Sequence, residues 1–108
     1  MTKSHCFRVK LKPDALPKLQ EWSAKLQGEL PEVRRLLEQE GVTVESVFLE
    51  NAADGSYLIY YLRSDDLDRA NKIAAASQHP IDVYHRSVMQ SVIAERTELQ
   101  CLLDVATE

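Results

Sequence analysis

Apolar and polar residues alternate from His5 to Leu11, with Phe7, Val9 and Leu11 in one phase and Cys6, Arg8 and Lys10 in the other. That period of two is the signature of a half-buried strand. Pro13 opens a segment with a different rhythm, in which Leu16, Leu19, Trp22, Leu26, Leu30, Val33 and Leu37 recur every three or four residues. Such a stripe belongs to a helix with one buried side. Asp14 suits the positive end of its dipole, and Gly41 is a fitting stop. Gly28 and Pro31 interrupt the stripe. Because proline removes a backbone donor, a kink or two consecutive helices is expected there.

Val42 to Glu50 is rich in β-branched residues and reads as a second strand, and Ser56 to Leu62, with Tyr57, Leu58, Ile59, Tyr60 and Tyr61, as a third. Asn51 to Gly55 supplies turn chemistry between them, so the pair should form an antiparallel hairpin. Asp65 or Asp66 can cap a helix carrying Leu67, Ala70, Ile73 and Ala74. Pro80 marks the first turn of a further helical stretch with Ile81, Tyr84, Val88 and Val92 on one face. Glu98 to Val105, where Leu99, Cys101 and Leu103 alternate with Gln100, Leu102 and Asp104, is expected to be the fourth strand.

The order β-α-β-β-α-β with right-handed crossovers predicts an α+β, ferredoxin-like fold: a four-stranded antiparallel sheet with its helices on one face. At 108 residues the chain should form one domain, residues 1–108, burying about two-thirds of its unfolded surface. The other face of the sheet is left bare. Cys6, Arg8 and Lys10 should point there. Strand two presents there either Thr43, Glu45, Val47 and Leu49 or Val44, Ser46 and Phe48, and strand three is apolar in both phases. A large apolar area on a small protein marks a binding or oligomer surface. The expectation is a homodimer with two sheets packed face to face, a dimeric α/β barrel, with a small-molecule pocket in the space between them.

Composition narrows the function. A net charge of -4, spread along both halves, and no basic stripe beyond Lys3, Arg8, Lys10 and Lys12 argue against a nucleic-acid partner. No apolar run is long enough for a membrane span or signal segment, so the expected compartment is the cytoplasm, with no membrane partner. Cys6 and Cys101 have no zinc-type spacing and read as small hydrophobes. The motifs GxGxxG, GxxxxGK[ST], GxSxG and HExxH are absent, and no cofactor is expected.

The densest run of polar and titratable side chains is Ser77 to His85. Asp82 and His85 are three residues apart, neighbours on a helix surface, and a carboxylate beside an imidazole suits acid or base work near neutral pH. These two are the candidate catalytic pair. The competing reading is structural: with Pro80 at the first helical position, His79 becomes the cap and Asp82 falls in the first turn. A shared metal is not expected, since the six residues from His79 to His85 turn about 240° around a helix. Arg8, Trp22, Glu45, Tyr57 and His79 are the candidate ligand-binding residues. Arg8 and Glu45 can pair across the sheet or meet a ligand, and Trp22 and the tyrosines are equally suited to the core.

Several segments carry a family resemblance: Val9-Lys10-Leu11-Lys12-Pro13, Glu21-Trp22, Val44-Glu45-Ser46-Val47-Phe48, Tyr57-Leu58-Ile59-Tyr60-Tyr61 and Ile81-Asp82-Val83-Tyr84-His85. Together they resemble a family of short, chiefly bacterial proteins known as a domain of unknown function with a ferredoxin-like, dimeric α/β-barrel fold. The resemblance implies that fold. Wider relatives of the barrel include cofactor-independent monooxygenases of the antibiotic-biosynthesis type, haem-degrading enzymes, small dehydratases and ligand-sensing domains, and fold alone does not choose among them. Three functions therefore stand side by side: a small-molecule binding dimer, a cofactor-independent enzyme of monooxygenase or isomerase type using His85 and Asp82, and a structural dimer with a filled interface.

Overall fold

Strand β1, Lys3–Leu11, leads into two consecutive helices, α1 (Leu16–Gln27) and α2 (Leu30–Glu40), in a computed structural model that describes residues 2–107. The break falls at Gly28 and Glu29, and Leu30 with Pro31 opens α2. Asp14 does not join the first turn of α1. It takes a left-handed φ of 66° in the connecting turn, and Ala15 occupies the cap. Helix α2 stops at Gly41, whose φ of 79° is the conformation that glycine adopts without a Cβ penalty.

The hairpin follows as β2 (Val42–Ala52) and β3 (Gly55–Ser64), antiparallel throughout. Asp66 then caps α3 (Leu67–Ala76) by accepting the Arg69 backbone N–H at 3.0 Å. Helix α4 (Pro80–Val92) passes directly into β4 (Ile93–Leu99). The strands lie in the order β2-β3-β1-β4, all neighbours antiparallel, so β2 and β4 are the edges of a ferredoxin-like sheet.

The last strand lies earlier than expected. It covers 93–99, and residues 100–107 run on outside the sheet with Leu102 and Leu103 more than 80% exposed. The segment Ile93–Leu99 carries Glu95, Arg96 and Glu98, the charges that blunt an edge strand and hide its alternation from a hydrophobicity reading. Of the apolar alternation at 99–103, only Leu99 pairs, with Cys6 of β1, and Cys101 and Leu103 lie outside the sheet.

Phe7, Val9 and Leu11 face the helices, where they join Leu19, Trp22, Leu58, Leu62, Val88, Met89 and Val92 in one core cluster. The register Arg8–Ile59–Phe48 across β1, β3 and β2 settles the phase of strand two. Val44, Ser46 and Phe48 lie on the open face with Arg8, and Glu45 and Val47 lie on the helical side. Arg8 and Glu45 are thus on opposite faces and do not pair. Arg8 instead bonds Glu50 at 2.9 Å.

Candidate functional site

On α4, Ile81 and Met89 are buried, and His85 falls one turn from each. The same face that anchors the helix therefore carries an imidazole inward. Helix α1 packs against α4 and brings Trp22 to it. The indole Nε1–H donates to His85 Nδ1 at 3.0 Å, with the two rings 5.7 Å apart and tilted by 36°. An N–H donor aimed at Nδ1 makes that nitrogen the acceptor, which assigns the neutral ring's proton to Nε2. Burial lowers the His85 pKa, Asp82 partly offsets this by favouring the cation, and Arg86 adds to the lowering. His85 is accordingly a neutral imidazole near pH 7 that offers Nε2–H as a donor.

His85 borders a cavity of about 490 Å³ between the helices and the covered side of the sheet. Leu26, Leu37, Val47 and Ile81 contribute to its apolar wall, and Trp22, Glu40, Glu45, Tyr60, Asp82 and Arg96 to its polar one. Three carboxylates thus share one hollow. Burial, then repulsion from Asp82 and Glu45, pushes the Glu40 carboxyl up to about 7. Glu45 is also raised, by burial first and by Asp82 second. Glu45 is itself solvent-exposed, on the edge strand β2 at the rim of the cavity. Tyr60 donates only to the Met89 thioether at 3.9 Å, and burial raises its hydroxyl far above the usual range. Arg96 lies 4.0 Å over the Phe7 ring.

Of the residues singled out in the sequence, the fold brings Trp22, Glu45, Asp82 and His85 together in this cavity. This hollow lies behind the sheet, on its covered side, within a single chain. Arg8 and Tyr57 stand on the opposite face, where the guanidinium stacks 3.6 Å from the Tyr57 ring and the phenol donates to Asp54 at 2.7 Å. His79 caps α4: its Nδ1 accepts from the Ile81 N–H at 3.1 Å, and its Nε2 bonds Glu32 at 3.1 Å. Both of its ring nitrogens are occupied, so neither is open to a ligand. Among the described residues no group of three or more His, Cys, Asp or Glu side chains is placed to hold a metal ion.

Glu40, Tyr60 and Arg96 escaped the sequence reading. Glu40 follows Val33 and Leu37 at helical spacing, so a carboxylate on an apolar stripe was its signal. Tyr60 shares the phase of Leu58 and Leu62 and looked like core. Arg96 carries no signal, because it lies on an edge strand whose residues follow no burial alternation. A second, more open hollow of about 380 Å³, at Ser4, His5 and Glu98 to Cys101, has none of this convergence of aromatic and carboxylate groups.

Known structures with the same fold include L-rhamnose mutarotase from Formosa agariphila, 16% identical over 96% of this chain and 99% of that one, with a TM-score of 0.66. Another is a dimeric protein of unknown function and ferredoxin-like fold from Bacteroides fragilis, 17% identical over 91% and 92% of the two chains, with a TM-score of 0.59. A cofactor-independent oxygenase from Streptomyces nogalater is 12% identical over 96% of each chain, with a TM-score of 0.52. At these identities the likeness is one of fold. No curated protein matches the chain. Residues 2–108 match one family along their whole length, and the chain belongs to it: DUF6176, a family of unknown function.

Proposed function

We propose that the cavity behind the sheet binds a small organic molecule and that His85 and the cavity carboxylates move a proton on it. The observation that carries this reading is the Trp22–His85 hydrogen bond inside a hollow that also holds Glu40, Glu45 and Asp82. Trp22 fixes the ring so that Nε2–H is the group offered to a ligand, and a carboxylate held partly protonated near neutral pH is a matched proton acceptor. A carboxylate would take the proton from the ligand, and His85 would donate a hydrogen bond from Nε2–H to the atom on which charge develops, with no cofactor required. A volume of about 490 Å³ is within the range of small-molecule sites and speaks against a filled, purely structural protein. The mutarotase and oxygenase neighbours support a fold able to host such chemistry, and only that.

The test is solvent-deuterium incorporation into a panel of hydroxy-ketones, sugars and phenols, followed by NMR with wild type and His85→Ala. Exchange that needs His85 while binding survives supports proton transfer. Binding without exchange in either protein reduces the site to a binding module, the second reading, favoured by the apolar share of the wall.

We further propose that the chain, read as one domain, works as a homodimer of the α/β-barrel type through its open face. Phe48 is 60% exposed there, Val44 shares its strand face and Leu99 lies on the opposite edge strand, and the Bacteroides fragilis neighbour is dimeric. Cys6 and Cys101 are both free, which suits the reducing cytoplasm. Native mass spectrometry at micromolar concentration checks the dimer, and a monomer there rejects it.

A further inference from the structure

Resting on the reading of the cavity as a small-molecule site, we propose that its ligand is an organic cation with an ammonium head and an apolar body. The cavity brings together charged and titratable side chains from four elements: Glu40 from α2, Glu45 from β2, Asp82 and His85 from α4, and Arg96 from β4. Tyr60 from β3 adds a phenol, and Trp22 from α1 and Asn71 from α3 add neutral polar groups. Three carboxylates face one guanidinium, and that guanidinium is stacked on Phe7. Among the described residues none of the three carboxylates is in an ion pair. The His85 ring, accepting from Trp22 at Nδ1, adds no positive charge in that state.

Three carboxylates crowded in a partly desolvated hollow with a single guanidinium, itself stacked on Phe7, repel one another, and a ligand that supplies positive charge relieves this. An anionic ligand worsens it, and a neutral ligand leaves it in place. The rest of the wall fits the same class. Trp22, Tyr60 and Phe7 line the cavity, and aromatic faces attract organic cations. Leu26, Leu37, Val47 and Ile81 provide the surface for an apolar body. The half-buried Tyr60 hydroxyl, whose partner among the described residues is the Met89 thioether, is free to accept an N–H. A bare metal ion fits poorly, because no three ligating side chains converge.

Hexylammonium, 1-hexanol and hexanoate share one apolar body and differ only in the charge of the head. Each is titrated into the full chain, with emission of Trp22, the single tryptophan, and calorimetry as readouts. The expected result is hexylammonium binding at least about tenfold more tightly than the alcohol, with hexanoate weakest, and proton release measured in two buffers at pH 6.5. Glu45→Gln and Glu40→Gln, isosteric changes that remove charge and keep shape, should each weaken the ammonium several-fold and leave the alcohol within about twofold. Hexanol or hexanoate binding as tightly as the ammonium overturns the cation inference while the cavity reading stands. An ammonium affinity indifferent to both substitutions overturns it as well, by placing the cation elsewhere on an acidic protein. Silence from all three probes rejects the inference, and the deuterium-exchange panel then decides the proton-transfer reading separately.

Discussion

The two faces of the sheet spend their aromatic and charged residues in opposite ways. On the open face several charges are paired while Phe48 stays exposed: Arg8 bonds Glu50 and lies over Tyr57, Tyr57 bonds Asp54, and Arg63 bonds Asp104 at 2.8 Å. On the helical face, carboxylates stand without ion-pair partners around an aromatic-lined hollow. Paired charges stabilise a surface or set the register of an interface, whereas unpaired, desolvated ones cost stability and persist where function uses them. The proposed chemistry therefore lies behind the sheet and the proposed association in front of it.

The strongest way to break this contrast is Trp22→Ala. It deletes a buried indole and leaves a cavity, for an expected loss of about 3 to 5 kcal/mol in urea unfolding. Trp22→Phe keeps most of the packing and removes only the donor, so the His85 pKa, followed by NMR, should rise; an unchanged value would detach the tautomer argument from Trp22. Next comes Phe48→Glu on the open face, which should weaken the dimer by about a hundredfold in sedimentation and leave ligand binding in the cavity intact. An unaffected dimer would move the interface elsewhere.

Glu40→Gln has a smaller and pH-dependent effect. Glu40 ionises near 4.5 in the unfolded chain and near 7 in the fold, so the folded state holds an extra proton between those values. Its contribution to stability is complete below pH 4.5 and is lost as the pH rises through 7. The variant should thus gain on wild type between those pH values, by on the order of 1 kcal/mol once partial solvent screening is allowed for. The smallest effect is expected from Arg8→Ala, whose exposed ion pair should leave both the unfolding midpoint and the cavity affinity within experimental scatter. A marked loss of binding there would put the open face back in contention as the site.

Much of the architecture was legible because periodicity reports one-sided burial. Phe7, Val9 and Leu11, the stripe from Leu16 to Leu37, the break at Gly28 and Pro31 and the tyrosine-rich third strand each carry a local signal with one physical solution. The fourth strand was not legible, since Glu95, Arg96 and Glu98 on an edge obey no burial pattern, while Leu99, Cys101 and Leu103 alternate without being buried. His85 and Asp82 stood out by spacing on one helix. Trp22, the partner of His85 and 63 residues away from it, did not stand out as a partner.

By itself the sequence determined the element types, the hairpin and the burial of β1's apolar phase, because each follows from spacing along a short stretch of chain. Which phase of β2 faces the helices, and with it the separation of Glu45 from Arg8, was decided by cross-strand register through β3. The meeting of Trp22, Glu40, Glu45, Asp82 and His85 was decided only by packing helices from two halves of the chain onto one sheet. Long-range contacts of that kind leave no period in the sequence, since nothing local records which distant surface a side chain will meet.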